Sequence, residues 1–218
     1  MNIMLIAGGP AEELPDFSFF PKGLFIGVDS GTLTLLEQGI RPVAAVGDFD
    51  SVTAEDYEYI RSVFPDLSRS PAEKDQSDTE LGLEVAMTYK PEVVILAGVT
   101  GGRLDHYMSA LHIMYKYQQT YPQTCFRLIN NQNQLRFLSS GTHEVTKHPH
   151  YRYVSFYPFA EELEGFSLTG FKYPVTNEHL PFGTTRFVSN ELINQGRVII
   201  KNGQCLMIES SDEVNGQG

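Results

Sequence analysis

Residues 92–106 read EVVILAGVTGGRLDH, and this stretch decides the fold. Glu92–Ala97 is a continuous apolar run of the kind that suits a strand buried on both faces. It stops at Gly98, and beyond the Gly101-Gly102 pair a helical pattern covers about Leu104–Tyr117. The same order of strand, glycine-bearing loop and helix recurs toward the N-terminus. Asn2–Ala7 ends at Gly8-Gly9-Pro10. Leu24–Val28 ends at Asp29-Ser30-Gly31, before a helix over Thr32–Gln38 with Gly39 as its C-cap. Pro42–Val46 ends at Gly47-Asp48-Phe49-Asp50-Ser51, before a helix over Thr53–Phe64 with Thr53 as N-cap. A short strand near Asp66–Ser70 leads to Lys74-Asp75-Gln76-Ser77-Asp78. There Ser77 and Glu80 form a capping box for a helix running to about Tyr89. Strands alternating with helices predict an α/β N-terminal domain with a mostly parallel sheet, Rossmann-like and three-layered.

After about Thr120 the helical period disappears. Phe126–Ile129, Gln134–Leu138, Thr142–Thr146, Tyr153–Phe159, Phe166–Phe171 and Arg197–Lys201 are short strand-like runs between turn residues. They predict an all-β C-terminal sandwich. Asn202-Gly203, between two β runs, predicts a hairpin. The expected domains are 1–125 and 126–210, with the boundary inside 122–134 and a flexible polar tail over 211–218.

Composition narrows the function. The 218 residues carry 16 Lys+Arg against 27 Asp+Glu, a net charge of −11, which disfavours general nucleic-acid binding. Hydrophobic residues at 41% and charged residues at 20% fit a folded chain. No apolar run is long enough for a membrane helix, and the N-terminus lacks a basic leader. Cys125 and Cys205 stand far apart without metal-like spacing, and free thiols in a cytoplasmic protein are the expected state.

The acidic residues are placed where chemistry is expected. In open α/β sheets, ligands bind beyond the carboxyl ends of the strands. Those ends hold Asp29, Asp48, Asp50, Asp75, Asp78 and Asp105. One aspartate in a turn is ordinary. Several carboxylates crowded on one rim repel one another unless a cation joins them. An all-oxygen set points to Mg2+ or Mn2+ rather than zinc. If residues 48–50 continue extended, Asp48 and Asp50 project to the same side and reach one metal. Phosphate is served by the Gly98–Asp105 loop: Gly101 and Gly102 let backbone approach, the next helix offers its N-terminus, and Arg103 adds a planar donor fork. Lys74 is a further candidate for a phosphate contact, and His106 is the one histidine near this rim. Neither a Walker A sequence nor G-x-G-x-x-G is present.

In this order and spacing the strand-end motifs resemble the thiamine pyrophosphokinase family. So do Gly170-Phe171-Lys172-Tyr173-Pro174 and Val188-Ser189-Asn190-Glu191 in the β half. The similarity extends from the first residues to about Glu209, with Ser30 where the family often has Gly. The resemblance implies an ATP-binding catalytic domain followed by a thiamine-binding β-sandwich, in a homodimer with a shared active site. It implies Mg2+-dependent transfer of diphosphate from ATP to the hydroxyl of thiamine, giving thiamine diphosphate and AMP. By that pattern Asp48, Asp50 and Asp78 are catalytic and hold magnesium, and Asp29 supports them. Ser30, Gly31, Lys74, Asp75, Gly101, Gly102, Arg103, Asp105 and His106 face ATP. Ser189, Asn190 and Tyr173 face thiamine. Asp78 or Asp50 takes the hydroxyl proton. Two alternatives stand beside this reading: a Mg2+-dependent nucleotide phosphohydrolase using the same acidic rim, and a non-catalytic sensor of thiamine or its diphosphate, against which the full set of acidic residues argues.

Overall fold

The apolar runs of the first half become five parallel strands. The fold is that of a computed structural model, in which residues 1–19, 23–65 and 76–212 are described. The strand expected near Asp66–Ser70, together with Lys74 and Asp75, lies outside the described residues. The chain divides into two compact units, Met1–Asn131 and Gln132–Gly218.

In the first unit the strands are β1 (Asn2–Ile6), β2 (Leu24–Val28), β3 (Ala44–Val46), β4 (Val93–Ala97) and β5 (Cys125–Ile129). They lie in the order β5-β4-β1-β2-β3, every pairing parallel. The helices are α1 (Ser30–Glu37), α2 (Ala54–Val63), α3 (Asp78–Thr88) and α4 (Leu104–Thr120). Alternate residues of β1 feed the two faces of the sheet, as the strand period requires. Met4 and Ile6 pack with Leu35 of α1 and with Ile95, while Ile3 packs with Ile26 and Ala86 of α3. Tyr117 of α4 meets Phe126 of β5 edge-on, with ring centroids 6.0 Å apart. Gly82 allows α3 to lie close on the sheet, because a Cβ there would stand 2.6 Å from Leu5 and 2.8 Å from Val28. Phe126–Ile129, expected in the β half, forms β5 instead and pairs with β4.

The cap signals act as expected. Thr53 and Ser77 accept from the backbone N–H groups of Asp56 and Glu80. Gly39 follows the end of α1 at φ 72°, with Ile40 N–H bonded back to Leu35.

The second unit is antiparallel. Its strands are β6 (Asn133–Leu138), β7 (Gly141–Thr146), β8 (Tyr153–Pro158), β9 (Leu163–Phe171), β10 (Val175–Leu180), β11 (Asn190–Ile200) and β12 (Cys205–Ser210). β12 lies between β6 and β8. β11 pairs with β8 at its start and with β7 and β9 further on. Phe156, Phe166, Phe171, Val198 and Met207 from these strands share one core. The expected hairpin at Asn202-Gly203 does not form, since β11 and β12 are not partners. A two-residue hairpin turn of the Asn-Gly type requires positive φ at both positions. Here Gly203 has φ 103° and Asn202 does not, and Asn202 instead bridges to Glu164. The segment carries the chain from one set of strands to the other.

Candidate active site

The carboxyl ends of β1, β2, β3 and β4 open onto a cleft of about 450 Å³. It is lined by the loops after all four strands and by the start of α3 and α4, including Gly8, Asp29, Asp48, Asp78, Thr100 and Arg103. Glycine makes the close approach of these loops possible. A Cβ on Gly31 would lie 2.1 Å from the Ile6 carbonyl, and one on Gly98 would lie 2.2 Å from that of Ala7.

Asp29, Asp48 and Asp78 each place a carboxylate oxygen within 4.8 Å of the others. Asp29 ends β2 with φ 49°, and its backbone N–H bonds the Val46 carbonyl at 2.9 Å. Its side chain makes no cap to α1 and instead accepts the Phe49 N–H at 3.1 Å. Gly47 leaves room for that carboxylate, because a Cβ there would sit 1.9 Å from Asp29 Oδ1. Burial pushes the Asp29 pKa up to about 6, with the neighbouring charges of Asp78, Asp48 and Asp50 adding to the rise against the Phe49 bond. Asp78 is the first residue of α3, where a carboxylate also faces the positive end of the helix dipole.

The 48–50 segment does not continue extended. Phe49 turns to φ 56° and buries its ring beside Tyr57. Asp48 therefore joins the carboxylate cluster, while Asp50 lies exposed on the cleft lining, its N–H bonded to Asp48 Oδ1 at 3.1 Å. The donor set fits a hard divalent cation: three carboxylates, all oxygen, one of them raised in pKa chiefly by burial and further by its neighbours' charges.

Ser30, Gly102, Arg103 and His106 also line the cleft. Gly101 takes φ 78° in the same loop, and Gly31 is buried at the start of α1. Arg103 forms a forked pair with Asp105 at 2.6 and 3.1 Å. That pair holds the exposed Asp105 carboxyl down at about 2, and Asp105 also accepts the His106 N–H. Lys74 and Asp75 lie outside the described residues.

The three residues expected to face thiamine are close together in the second unit. Asn190 is buried and exchanges two bonds with the Tyr173 backbone, at 3.1 and 3.0 Å. It also accepts the Glu191 N–H at 2.9 Å. Its amide thus fixes the Tyr173 backbone; Tyr173 is 59% exposed, with Lys172 Nζ 5.5 Å from its ring centroid. Ser189 has φ 57°, and its N–H donates to Ser155 Oγ at 3.0 Å.

Thr100, Glu13 and Asn130 belong to the surroundings of the cleft and carry no local motif. The run Asn130-Asn131 directly after an apolar strand was the available signal, since it stands at a carboxyl end like the aspartates.

The two units match two halves of one enzyme family. The thiamin pyrophosphokinase catalytic domain matches residues 21–126, and the thiamin pyrophosphokinase vitamin B1 binding domain matches residues 142–206. Thiamine pyrophosphokinase of Bacillus subtilis (strain 168) is 41% identical over 214 residues, covering 97% of this chain and 99% of that protein. The crystal structure of thiamin pyrophosphokinase from Geobacillus thermodenitrificans superposes with a TM-score of 0.89 at 43% identity, covering 98% of this chain and 99% of that one. The yeast thiamin pyrophosphokinase structure, at 14% identity and TM-score 0.79, shares the fold, covering 96% of this chain and 86% of that one. A two-unit chain, α/β and then β-rich, with an acidic cleft at the strand ends of the first unit is the class so defined. The chain belongs to the thiamine pyrophosphokinase family.

Among the described residues, no helix is long and apolar enough to cross a membrane.

Proposed function

We propose that the chain transfers the diphosphate of ATP to the hydroxyl of thiamine, forming thiamine diphosphate and AMP with Mg2+ bound. The observation that carries this is the meeting of Asp29, Asp48 and Asp78 in a cleft that also holds the glycine loop and Arg103. Asp29, Asp48 and Asp78 would hold the cation, with Asp50 on the same cleft lining. The bound cation supplies charge neutralisation to the transferred diphosphate.

The protein's own groups do the rest. Arg103 presents a donor fork to phosphate while Asp105 holds its plane. Gly101 and Gly102 let a phosphate oxygen come close to backbone N–H groups near the start of α4. His106 and Ser30 border the nucleotide, and by the family resemblance Lys74 and Asp75 serve the same ligand. Transfer of this kind relies on positioning and charge more than on covalent work by the enzyme. The thiamine hydroxyl loses its proton to Asp78 or Asp50 as its oxygen attacks the β-phosphorus and AMP departs. The permanent charge of thiazolium suits an acidic cleft. Ser189 and Asn190 orient the aminopyrimidine, and Tyr173 covers it. The thiamine of one site is shared between protomers of a homodimer. The parallel order β5-β4-β1-β2-β3 with helices on both faces supports the Rossmann-like reading of the first unit.

Product analysis tests the proposal. ATP, thiamine and Mg2+ are mixed with the protein and the nucleotides separated. AMP and thiamine diphosphate in equal amounts are expected. ADP as product, or phosphate released without thiamine, would overturn the reading in favour of another phosphoryl chemistry. Ligand binding without turnover would leave only a sensor.

A further inference from the structure

The loop that carries Arg103 needs support from outside itself. Gly98 and Gly101 hold positive φ values of 72° and 78°, and Gly102 has nothing within 4 Å of where a Cβ would be. A loop this rich in glycine has many competing conformations. Donors aimed at a polyphosphate act best when fixed in advance.

Two residues remote in sequence supply the fixing. Asn130, just beyond the carboxyl end of β5, is 6% exposed. Its amide nitrogen donates to Thr100 Oγ1 at 3.1 Å and to Glu13 Oε2 at 3.0 Å. An amide NH2 has two hydrogens, and both are engaged here. Glu13 ends a 3-10 turn over Ala11–Glu13, and its stem fills the space beside Gly101, with Cγ 2.3 Å from where a Cβ would stand. Asn131 ties that turn down, with its backbone N–H on the Glu13 carbonyl at 3.0 Å and its side chain on the Glu12 carbonyl at 2.5 Å. Gly9 N–H holds the Gly98 carbonyl at 2.7 Å on the other side of the loop. Thr100 lines the cleft, whereas Asn130 and Glu13 are not among the lining residues.

We propose that Asn130 and Glu13 are positioning residues for the nucleotide: together they brace the Thr100–Arg103 loop in the shape that receives the polyphosphate of ATP. The inference rests on the reading of this cleft as the ATP site. Neither residue touches substrate. Asn130 supplies two hydrogen bonds, one to Thr100 of the loop and one to the Glu13 carboxylate, the latter among the stronger kind. Glu13 supplies both the anionic partner and the volume.

The test compares Asn130→Ala, Asn130→Asp, Glu13→Ala and Glu13→Gln with wild type, using steady-state kinetics and titration with Mg2+–ATP, each variant first checked for cooperative melting. Asn130→Ala and Glu13→Ala are expected to raise KM for ATP by about 10-fold and KM for thiamine by less than about 2-fold. Glu13→Gln keeps the stem and an acceptor oxygen, and is expected to recover most of the loss seen in Glu13→Ala. Asn130→Asp sets a second carboxylate against Glu13 and is expected to be the worst variant at pH 7. The double alanine variant should be no worse than either single one, because both act through one brace. Equal rises in both KM values, or unchanged ATP affinity in a folded Asn130→Ala protein, would overturn the proposal. Should Asn130→Ala fail to fold, the Glu13 pair gives the same decision. Wild-type protein that forms no AMP would instead defeat the underlying reading of the cleft, an outcome separate from any of these.

Discussion

Asp29 shows how much one residue settles. A left-handed backbone, φ 49°, turns the chain out of β2, and the side chain leaves its own helix uncapped to hold Phe49 instead. The bond costs a capping interaction and gains a fixed place for the Asp48 loop. It also buries a carboxylate next to two others, which raises its pKa from 3.8 to about 6. An acid raised in the folded state favours the protonated fold. Its contribution to stability is therefore greatest below pH 3.8 and declines as pH rises to about 6, with no further change above that. The melting temperature of the metal-free protein should show this decline, and Asp29→Asn should flatten it. Mg2+ needs the carboxylate, so its stabilising effect should be larger at pH 7 than at pH 5 and should be mostly lost in Asp48→Asn. Differential scanning calorimetry with and without Mg2+ measures both. An equal Mg2+ effect at the two pH values would remove Asp29 from the ion's surroundings.

Helices and strands carry these residues to the cleft, and their signals differ in strength. The caps at Thr53 and Ser77 could be read directly, because a hydroxyl three residues before its partner N–H is a local pattern. Ser77→Ala should lower stability by about 1 kcal/mol, seen as a shift in urea midpoint, and lower turnover as well, since Asp78 opens the helix that Ser77 caps. A lower midpoint with normal turnover would show that Asp78 keeps its place without the cap. The convergence of aspartates was legible for a similar reason: parallel strands bring their carboxyl ends to one rim, so sequence order alone groups the loops. Two things were not legible. Asn202-Gly203 has the composition of a hairpin, yet the φ of Asn202 and its bridge to Glu164 are set by tertiary pairing. The bond between Asn130 and Glu13 spans 117 positions, and no periodicity reports a contact of that range. Likewise β10 (Val175–Leu180) has exposed polar residues at several positions and lacks the alternation that marks a strand.

At the scale of the molecule, the proposed reading divides labour between two units. The residues proposed to face the nucleotide belong to Met1–Asn131, and those proposed to face thiamine, Ser189, Asn190 and Tyr173, belong to Gln132–Gly218. If the second unit holds the acceptor, Ser189→Ala should raise KM for thiamine several-fold more than KM for ATP. Matched changes in the two constants would argue that acceptor and donor are held together in the first unit.

The place of β12 has a consequence for how the second unit is made. This last described strand, Cys205–Ser210, sits inside its sheet with β6 on one side and β8 on the other. Met207 and Cys205 from it complete the apolar interior. During synthesis the earlier strands emerge from the ribosome with an empty lane between them, so this half of the protein stays unfinished until residue 210 is free. A chain cut at Asn202 loses a central plank rather than a trim along the border, and its apolar faces lie open to chaperones, proteases or one another.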